Sequence, residues 1–333
     1  MTLAQRAFMP VQAFDRCMTS CAAFVFRKFI LPGLFLTGSI SCSSVSGLTV
    51  PENQSSFTSF VSAARSGDEE TVARLIRNGV DVNGSDSAGI TPLIAASKLG
   101  NTKILDLLIK NGARKNLADV EGRTALWHAA AEARHSIVEK LLSAKVDVNL
   151  ADNAGESPLM VAARLGKSPK IVAALISAGA DVNAVDDNGF SALIWAAFAG
   201  LTSSVTDLID HGAKVNQRTM DGETALFYAA AQSDPKSVEA LLKHGADVNV
   251  RAKEGGTPLT AAITSYKHRP LQPGQPPMTQ ESMTKVLKLL INAGADLNAR
   301  DQKGRTAVMI ASERGDKIIL ALLQAAASQY GNQ

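Results

Sequence analysis

A three-residue motif that returns at a nearly constant interval constrains this chain more than any other feature. In each copy Thr or Ser is followed by Pro or Ala and then by Leu, although the first and last copies depart from this pattern. The eight copies begin at Thr58, Thr91, Thr124, Ser157, Ser191, Thr224, Thr257 and Thr306. Successive copies lie 33, 33, 33, 34, 33, 33 and 49 residues apart. Self-similarity at such a period predicts a stacked array, because one unit cannot bury its apolar face alone.

The residues around each copy predict a pair of helices. Thr or Ser is a good N-cap, and a following Pro suits the first helical turn, where its missing N–H costs nothing. The first helix is then expected to end at a glycine such as Gly100 or Gly166, because glycine readily adopts the left-handed conformation of a helix end. Apolar residues spaced as in Val72, Leu75 and Ile76 predict an amphipathic second helix. Eight such pairs are expected, and the first and last pairs are caps.

A second motif keeps the same period. Each second helix leads into a Gly-Ala-Asp-Val-Asn segment or a close variant, whose last residue is Asn83, Asn116, Asn149, Asn183, Asn216, Asn249 or Asn298. The period and both motifs resemble those of the ankyrin-repeat family over residues 57–330. This resemblance implies an all-α repeat solenoid, an ankyrin-repeat stack of about eight helix pairs with β-hairpin or turn tips. It also implies that the tips and the exposed side of each first helix form a concave face that binds a protein partner.

Residues that differ between copies are the candidates for partner binding, because the residues that all copies share are needed for stacking. Bulky aromatic side chains concentrate at the tips and on the first helices between residues 120 and 232, where both tryptophans, Trp127 and Trp195, lie. We expect core and surface to share these rings about evenly, with Phe190 and Phe198 as the exposed anchors. The predicted binding residues are Trp127, Phe190, Phe198, Phe227, Tyr228 and Glu132.

The sequence contains no recognisable catalytic or metal-binding motif. The five histidines lack metal-ligand spacing, and there is no nucleophile elbow, phosphate loop or dinucleotide fingerprint. His211 and His244 each precede the glycine that ends a second helix, where they are expected to interact with the helix dipole. We therefore expect a monomeric protein that is not an enzyme and needs no cofactor. A separate hypothesis is an enzyme with an unrecognised site, which needs a nucleophile–base pair that the sequence does not reveal.

The first 41 residues have the order of an export signal. Arg27 and Lys28 precede a mainly apolar run at 29–40, which is shorter than the ~20 apolar residues of a membrane-spanning helix. Small residues then lead to Cys42, in an arrangement that resembles the lipobox of bacterial lipoprotein precursors. The resemblance implies that Cys42 becomes the lipidated first residue. The sequence departs from it at Ser39, where a lipobox has Leu or another large aliphatic residue.

Several alternatives stay open at this N-terminus. Cleavage after Ser41 or Ser46 without a lipid is the closest competitor, and a start at Met18 gives a signal of more typical length. A disordered cytoplasmic tail and a mitochondrial presequence are further interpretations. The favoured protein is exported to the periplasm or outer membrane, where it contacts the membrane only through the lipid. Its competitor is a cytoplasmic adaptor or an effector delivered into a host.

Charge and composition define the other segments. Residues 1–41 carry four basic residues and one acidic residue of the 34 and 31 in the whole chain, so the remainder is balanced, which disfavours nucleic-acid binding. Residues 42–56 are expected to be a flexible tether. The interval of 49 residues contains an insertion at 265–280, whose prolines, Pro270, Pro273, Pro276 and Pro277, predict a projecting loop. A partner-specific finger and a tolerated insertion are both consistent with it.

Overall fold

The computed structural model describes residues 52–265 and 279–330. Within these residues the chain forms sixteen α-helices in eight consecutive pairs and no extended strand. The pairs are α1 (Glu52–Ser66) and α2 (Glu69–Arg77), α3 (Pro92–Leu99) and α4 (Thr102–Lys110), α5 (Ala125–Ala131) and α6 (His135–Ser143), α7 (Pro158–Leu165) and α8 (Pro169–Ser177), α9 (Ala192–Ala199) and α10 (Thr202–Asp210), α11 (Ala225–Ala231) and α12 (Pro235–Lys243), α13 (Pro258–Ser265) and α14 (Gln280–Asn292), and α15 (Ala307–Glu313) and α16 (Lys317–Tyr330). The predicted all-α repeat solenoid is confirmed.

The predicted helix signals act as expected in α3. The Thr91 hydroxyl accepts a hydrogen bond from the Ile94 backbone N–H at 3.3 Å, and Pro92 occupies the first turn. Gly100 ends the helix with a φ of +93°. Two other first helices, α5 and α11, do not end at the predicted glycine. The residues at that position are Ala133 and Ser233, with φ values of +56° and +55°. The left-handed conformation is therefore required at this position even where the residue is not glycine.

The helices pack in two rows, and the row of first helices supplies most of the core. Each of these helices contacts the first helix of the next pair, and the second helices form a parallel row from α2 to α14. An alanine lies five residues after the Thr or Ser that begins each copy of the sequence motif, and these eight alanines are at most 6% exposed: Ala63, Ala96, Ala129, Ala162, Ala196, Ala229, Ala262 and Ala311. Because alanine is small, the backbones can approach closely, so the solenoid is stabilised by aliphatic contacts repeated at every interface.

The asparagine that ends each Gly-Ala-Asp-Val-Asn segment links one repeat to the next. The Asn183 carboxamide oxygen accepts a hydrogen bond from the Lys214 N–H at 2.7 Å, and its Nδ2 donates to the Gly212 carbonyl at 3.1 Å. The oxygens of five others accept the corresponding backbone bond: Asn83, Asn116, Asn149, Asn216 and Asn249. These asparagines thus form a series of hydrogen bonds between repeats, the asparagine ladder, which sequence analysis did not predict.

The tips are tight turns that touch their neighbours through the backbone. In the turn at Asp119, one carboxylate oxygen accepts hydrogen bonds from the N–H groups of Glu121 and Arg123 at 3.0 and 2.9 Å. The Val120 N–H donates to the Ala88 carbonyl of the preceding tip at 3.1 Å. A Cβ on Gly89 would lie 2.8 Å from the Val120 nitrogen, so this glycine is needed both for its positive φ and for the close approach. The carboxylate of Asp119 thus stabilises its own turn.

Two predicted boundaries were wrong. The tether was expected to reach residue 56, but α1 begins at Glu52. The ring of Phe57 lies directly against Gly84, in the turn that follows α2, and Phe60 is completely buried. These contacts stabilise a helix that includes residues 52–56, whose polar sequence predicted a tether. The insertion was expected to span 265–280, but Ser265 ends α13 and Gln280 begins α14 behind a capping box at Thr279. The predicted signal at 1–41, Cys42 and the four prolines of the insertion lie outside the described residues.

Candidate functional site

In one repeat, three positions that lie close together in space all carry aromatic side chains. They lie one residue before the N-cap and four and seven residues after it. In the repeat that begins at Ser191 they are Phe190, Trp195 and Phe198, and Tyr228 follows in the next repeat. The rings of Phe190 and Trp195 stack with centroids 4.3 Å apart, and Phe198 meets Trp195 edge to face at 5.7 Å. Tyr228 contacts Phe190 at 5.7 Å and Phe198 at 5.3 Å. We call these four residues the aromatic cluster.

A buried aspartate holds two members of the aromatic cluster in place. One oxygen of Asp186 accepts the Phe190 backbone N–H at 2.9 Å, and the other accepts the Trp195 indole N–H at 3.2 Å. Each ring of the aromatic cluster is half-buried, so one side packs on the core and the other side faces solvent. Rings held in this way lose little conformational entropy when a partner binds.

The predicted binding residues divide between the aromatic cluster and other places. Phe190, Phe198 and Tyr228 belong to it, and Phe227 contacts Tyr228 with ring centroids 5.8 Å apart. Phe190 and Phe198 are half-buried, because each packs on neighbouring rings. The predicted set omitted Trp195, which lies at the centre of the aromatic cluster. Aligning the repeats by their N-caps could have found it, because Trp195 lies four residues after Ser191 as Tyr228 lies four residues after Thr224.

Trp127 and Glu132 lie apart from the aromatic cluster. Trp127 is 7% exposed, and its indole N–H donates to the Glu156 carbonyl at 3.1 Å. It therefore belongs to the core, and its side chain reaches the next repeat at Glu156. Glu132 is half-buried at the end of α5 and forms an ion pair with Lys167 at 3.6 Å. Its predicted binding role is separate from the aromatic cluster and stays a prediction.

Charged side chains border the aromatic cluster on both sides. On one side Arg164 donates two hydrogen bonds to Glu156, at 2.5 and 3.0 Å, and its guanidinium lies 5.6 Å from the Trp195 ring centroid. On the other side the Tyr228 hydroxyl donates to Glu223. Burial raises the pKa of Glu223, and the nearby carboxylates of Asp221 and Glu254 raise it further against the opposing hydrogen bond from Tyr228. This side therefore carries an excess of negative charge.

A buried histidine–aspartate pair lies two repeats away. The Nε2 of His128 is 2.8 Å from an oxygen of Asp119, and the two residues are 6% and 9% exposed. Burial lowers the pKa of His128, although the Asp119 carboxylate opposes this shift. A catalytic triad also needs a nucleophile, and no hydroxyl of the described residues is hydrogen-bonded to His128. The contact joins the tip at Asp119 to α5.

In the part of the chain that the structure describes, the other titratable residues do not come together in a recognisable site. No three histidine, cysteine, aspartate or glutamate side chains come together there in a way that could hold a metal ion. The Nδ1 atoms of His211 and His244 lie 2.7 and 2.8 Å from the carbonyls four residues earlier, as expected for histidines at helix ends. None of the helices in these residues has the length and apolar content to cross a bilayer.

Comparison with known proteins supports the repeat architecture over most of the chain. Models of ankyrin repeats match residues 60–152, 133–219 and 203–270, and a further model of ankyrin repeats matches residues 279–324. No curated protein matches this chain.

Proposed function

The chain belongs to the ankyrin-repeat family, and on this premise we propose that it is an exported, non-catalytic scaffold that binds a protein partner through the aromatic cluster. The family makes it a protein–protein interaction module. The observation that supports this particular site is the set of four half-buried rings on the face formed by the tips and first helices, which is the concave binding face in ankyrin proteins. Aromatic side chains at the centre of an interface commonly supply most of its binding energy.

The aromatic cluster is not needed for stacking. The positions of Phe190, Trp195 and Phe198 are occupied in the repeat of Thr91 by Ile90, Ala95 and Lys98. That repeat has the same cap, the same two-helix pattern and an equally buried core. Large rings at these three positions are therefore explained better by partner recognition than by stability.

A photo-crosslinking experiment tests this site in the full chain. Phe198 is replaced by p-benzoylphenylalanine, and the protein is irradiated in its native cells. The matched control carries the same group at Ala173, an exposed position of α8 on the opposite row. We expect a discrete protein adduct from position 198 and none from position 173. Adducts from position 173 alone, or from neither position, would contradict a partner site at the aromatic cluster.

The crosslinked partner then allows an affinity measurement. Phe190→Ala with Phe198→Ala should weaken binding at least about tenfold, or ~1.4 kcal/mol. The melting temperature should change little, since these rings are half-buried. A large fall in melting temperature would mean that the rings belong to the core.

Export is the second part of the proposal, and it rests on the order of charged, apolar and small residues before Cys42. Cys42→Ala should release the protein from the membrane fraction and abolish labelling with a palmitate analogue. A wild-type chain found in the cytoplasm with residues 1–41 still attached would favour the cytoplasmic adaptor. This result would leave the binding site itself unaffected.

A further inference from the structure

Helix α10 has a serine where the preceding second helices have a buried isoleucine. Three residues after the N-cap, α4, α6 and α8 carry Ile104, Ile137 and Ile171, which are at most 1% exposed. The corresponding residue of α10 is Ser204, which is completely buried, and its hydroxyl has no hydrogen-bond partner among the described residues. A buried polar group without a partner is destabilising, and serine also supplies less apolar contact than isoleucine. The row of second helices therefore has a weak point at α10.

Both ends of α10 are weak as well. Its N-cap is Leu201, whose side chain cannot accept a hydrogen bond, whereas Asn101 at the start of α4 accepts two backbone N–H groups at 3.0 Å. The last residue of α10 is Asp210, and a carboxylate there interacts unfavourably with the negative end of the helix dipole. The corresponding residues of α4 and α12 are Lys110 and Lys243, which interact favourably with it. Among the second helices that the structure describes, α10 alone combines an uncapped start, a polar core position and an acidic end.

The place of α10 in the stack makes this weakness unusual. A uniform solenoid opens most readily at its ends, because each terminal repeat has only one neighbour. α10 belongs to the fifth of eight pairs, where neighbours on both sides should protect it. Its opening withdraws only three apolar side chains from the core, Val205, Leu208 and Ile209. α9 can meanwhile stay packed between α7 and α11.

We propose that α10 is a local switch, which unfolds and refolds in the native protein while the row of first helices stays intact. This inference concerns the fold and goes beyond the proposed function. α10 packs against α9, which carries Trp195 and Phe198, so its opening removes the support behind two members of the aromatic cluster. Any molecule that binds only the supported form of the aromatic cluster must therefore also close α10.

Hydrogen exchange of the full chain, followed by mass spectrometry, tests the local switch without any partner. After correction for intrinsic rates, the amides of α10 should be protected at least about tenfold less than those of α4 and α8. This order is the reverse of that expected for a uniform stack, because α4 lies nearer to an end. Equal protection of α10 and α4 would overturn the inference. So would simultaneous exchange of all second helices, since the stack would then unfold as one unit.

Two reciprocal substitutions exchange the last residues of α10 and α4. Asp210→Lys gives α10 the residue of α4 and should slow its exchange at least about threefold, because the charge at the helix end is reversed. Lys110→Asp should accelerate exchange in α4 by a similar factor and leave α10 unchanged. Both side chains are exposed, so the fold should tolerate both changes. An unchanged rate in α10 of the Asp210→Lys variant would contradict the weakness assigned to its C-terminal end.

A pair of buried serines tests the core position. Ser204→Ala removes a hydroxyl without a partner and should slow exchange in α10. The matched control is Ser97→Ala in α3, where the serine is equally buried but its hydroxyl donates to the Leu93 carbonyl at 2.7 Å. Both changes gain the same helix propensity, so the difference between them reports on the hydroxyl. A gain in α10 no larger than the gain in α3 would contradict the role of Ser204.

The local switch and the proposed binding site can fail separately. Equal protection of α10 and α4 would overturn the switch but leave the crosslinking test of the aromatic cluster unaffected. An absence of crosslinks from position 198 would reject the binding site, whereas the exchange rates of the free chain would still decide whether α10 opens on its own.

Discussion

Helices α3 and α9 are built on the same plan, and the bulky aromatic side chains of α9 have no counterpart in α3. Both have eight residues, a hydroxyl N-cap and a glycine at the C-terminal end. Leu93 and Leu193 are buried in the same position, as are Ile94 and Ile194. At the positions of Trp195 and Phe198 in α9, α3 carries Ala95, which is buried, and Lys98, which is exposed. Under the proposed function, stacking and recognition would therefore depend on different residues of one short helix.

The largest expected effect comes from a shared core position. Leu193→Ala should lower the free energy of unfolding by about 2–5 kcal/mol, because a side chain that is 1% exposed leaves a cavity. Leu93→Ala should cost a similar amount. Phe198→Lys introduces the residue that α3 carries at this position, so it should cost much less. Urea denaturation of the three variants measures these differences, and equal losses for Leu193→Ala and Phe198→Lys would refute the division between stacking and recognition.

The asparagine ladder should contribute less than the core but should act across repeats. Asn183→Ala removes two hydrogen bonds to the next repeat and should cost about 1–3 kcal/mol, since it leaves backbone groups without partners. The same change at Asn298, in the last repeat, should cost less because no further repeat follows α15 and α16 in the described residues. Denaturant midpoints measure both, and an equal cost at the two positions would show that the ladder is local to its own turn.

Lys145 allows a gain in stability to be tested. It has a φ of +56°, whereas the equivalent position of six other repeats carries a glycine with φ between +77° and +88°. All seven repeats therefore have a positive φ at this position. Lys145→Gly should raise the free energy of unfolding by a few tenths to about 1 kcal/mol, because a left-handed conformation strains a residue with a Cβ. An unchanged or lower denaturation midpoint would contradict that expectation.

The smallest expected effect is a change in the pH dependence of stability that arises from one residue, His128. The folded state lowers the pKa of His128 through burial, so the unfolded chain binds its proton first as the pH falls. The stability associated with neutral His128 is therefore present above the unfolded pKa of about 6.5 and decreases as the pH falls below it. His128→Gln should reduce the loss of stability between about pH 7.5 and pH 5. An unchanged slope in denaturation curves would assign that loss to other groups.

Sequence reasoning predicted the repeated features because each is local. Thr91 and Gly100 cap a helix through neighbours a few residues away, and the same residues return with the period. It could not separate Trp127 from Trp195, which lie three and four residues after their N-caps. One residue turns the side chain by about 100° around the helix, and only the adjacent repeat decides which direction is buried. Likewise, Arg164 and Trp195 meet across repeats, and the zero net charge of residues 42–333 conceals the local acidic excess at Glu223.

The asparagine ladder also passes across the one interval of unequal length. Asn249 donates from Nδ2 to the Gly294 carbonyl at 3.0 Å and accepts the Asp296 N–H at 2.8 Å, nearly as Asn183 does with residues of the next regular repeat. The neighbouring units thus keep their register whether the connection between helices is short or contains residues 266–278. A reporter domain or an affinity tag inserted between Ser265 and Thr279 should therefore be carried without disturbing the scaffold, which makes this connection a natural graft point for engineering.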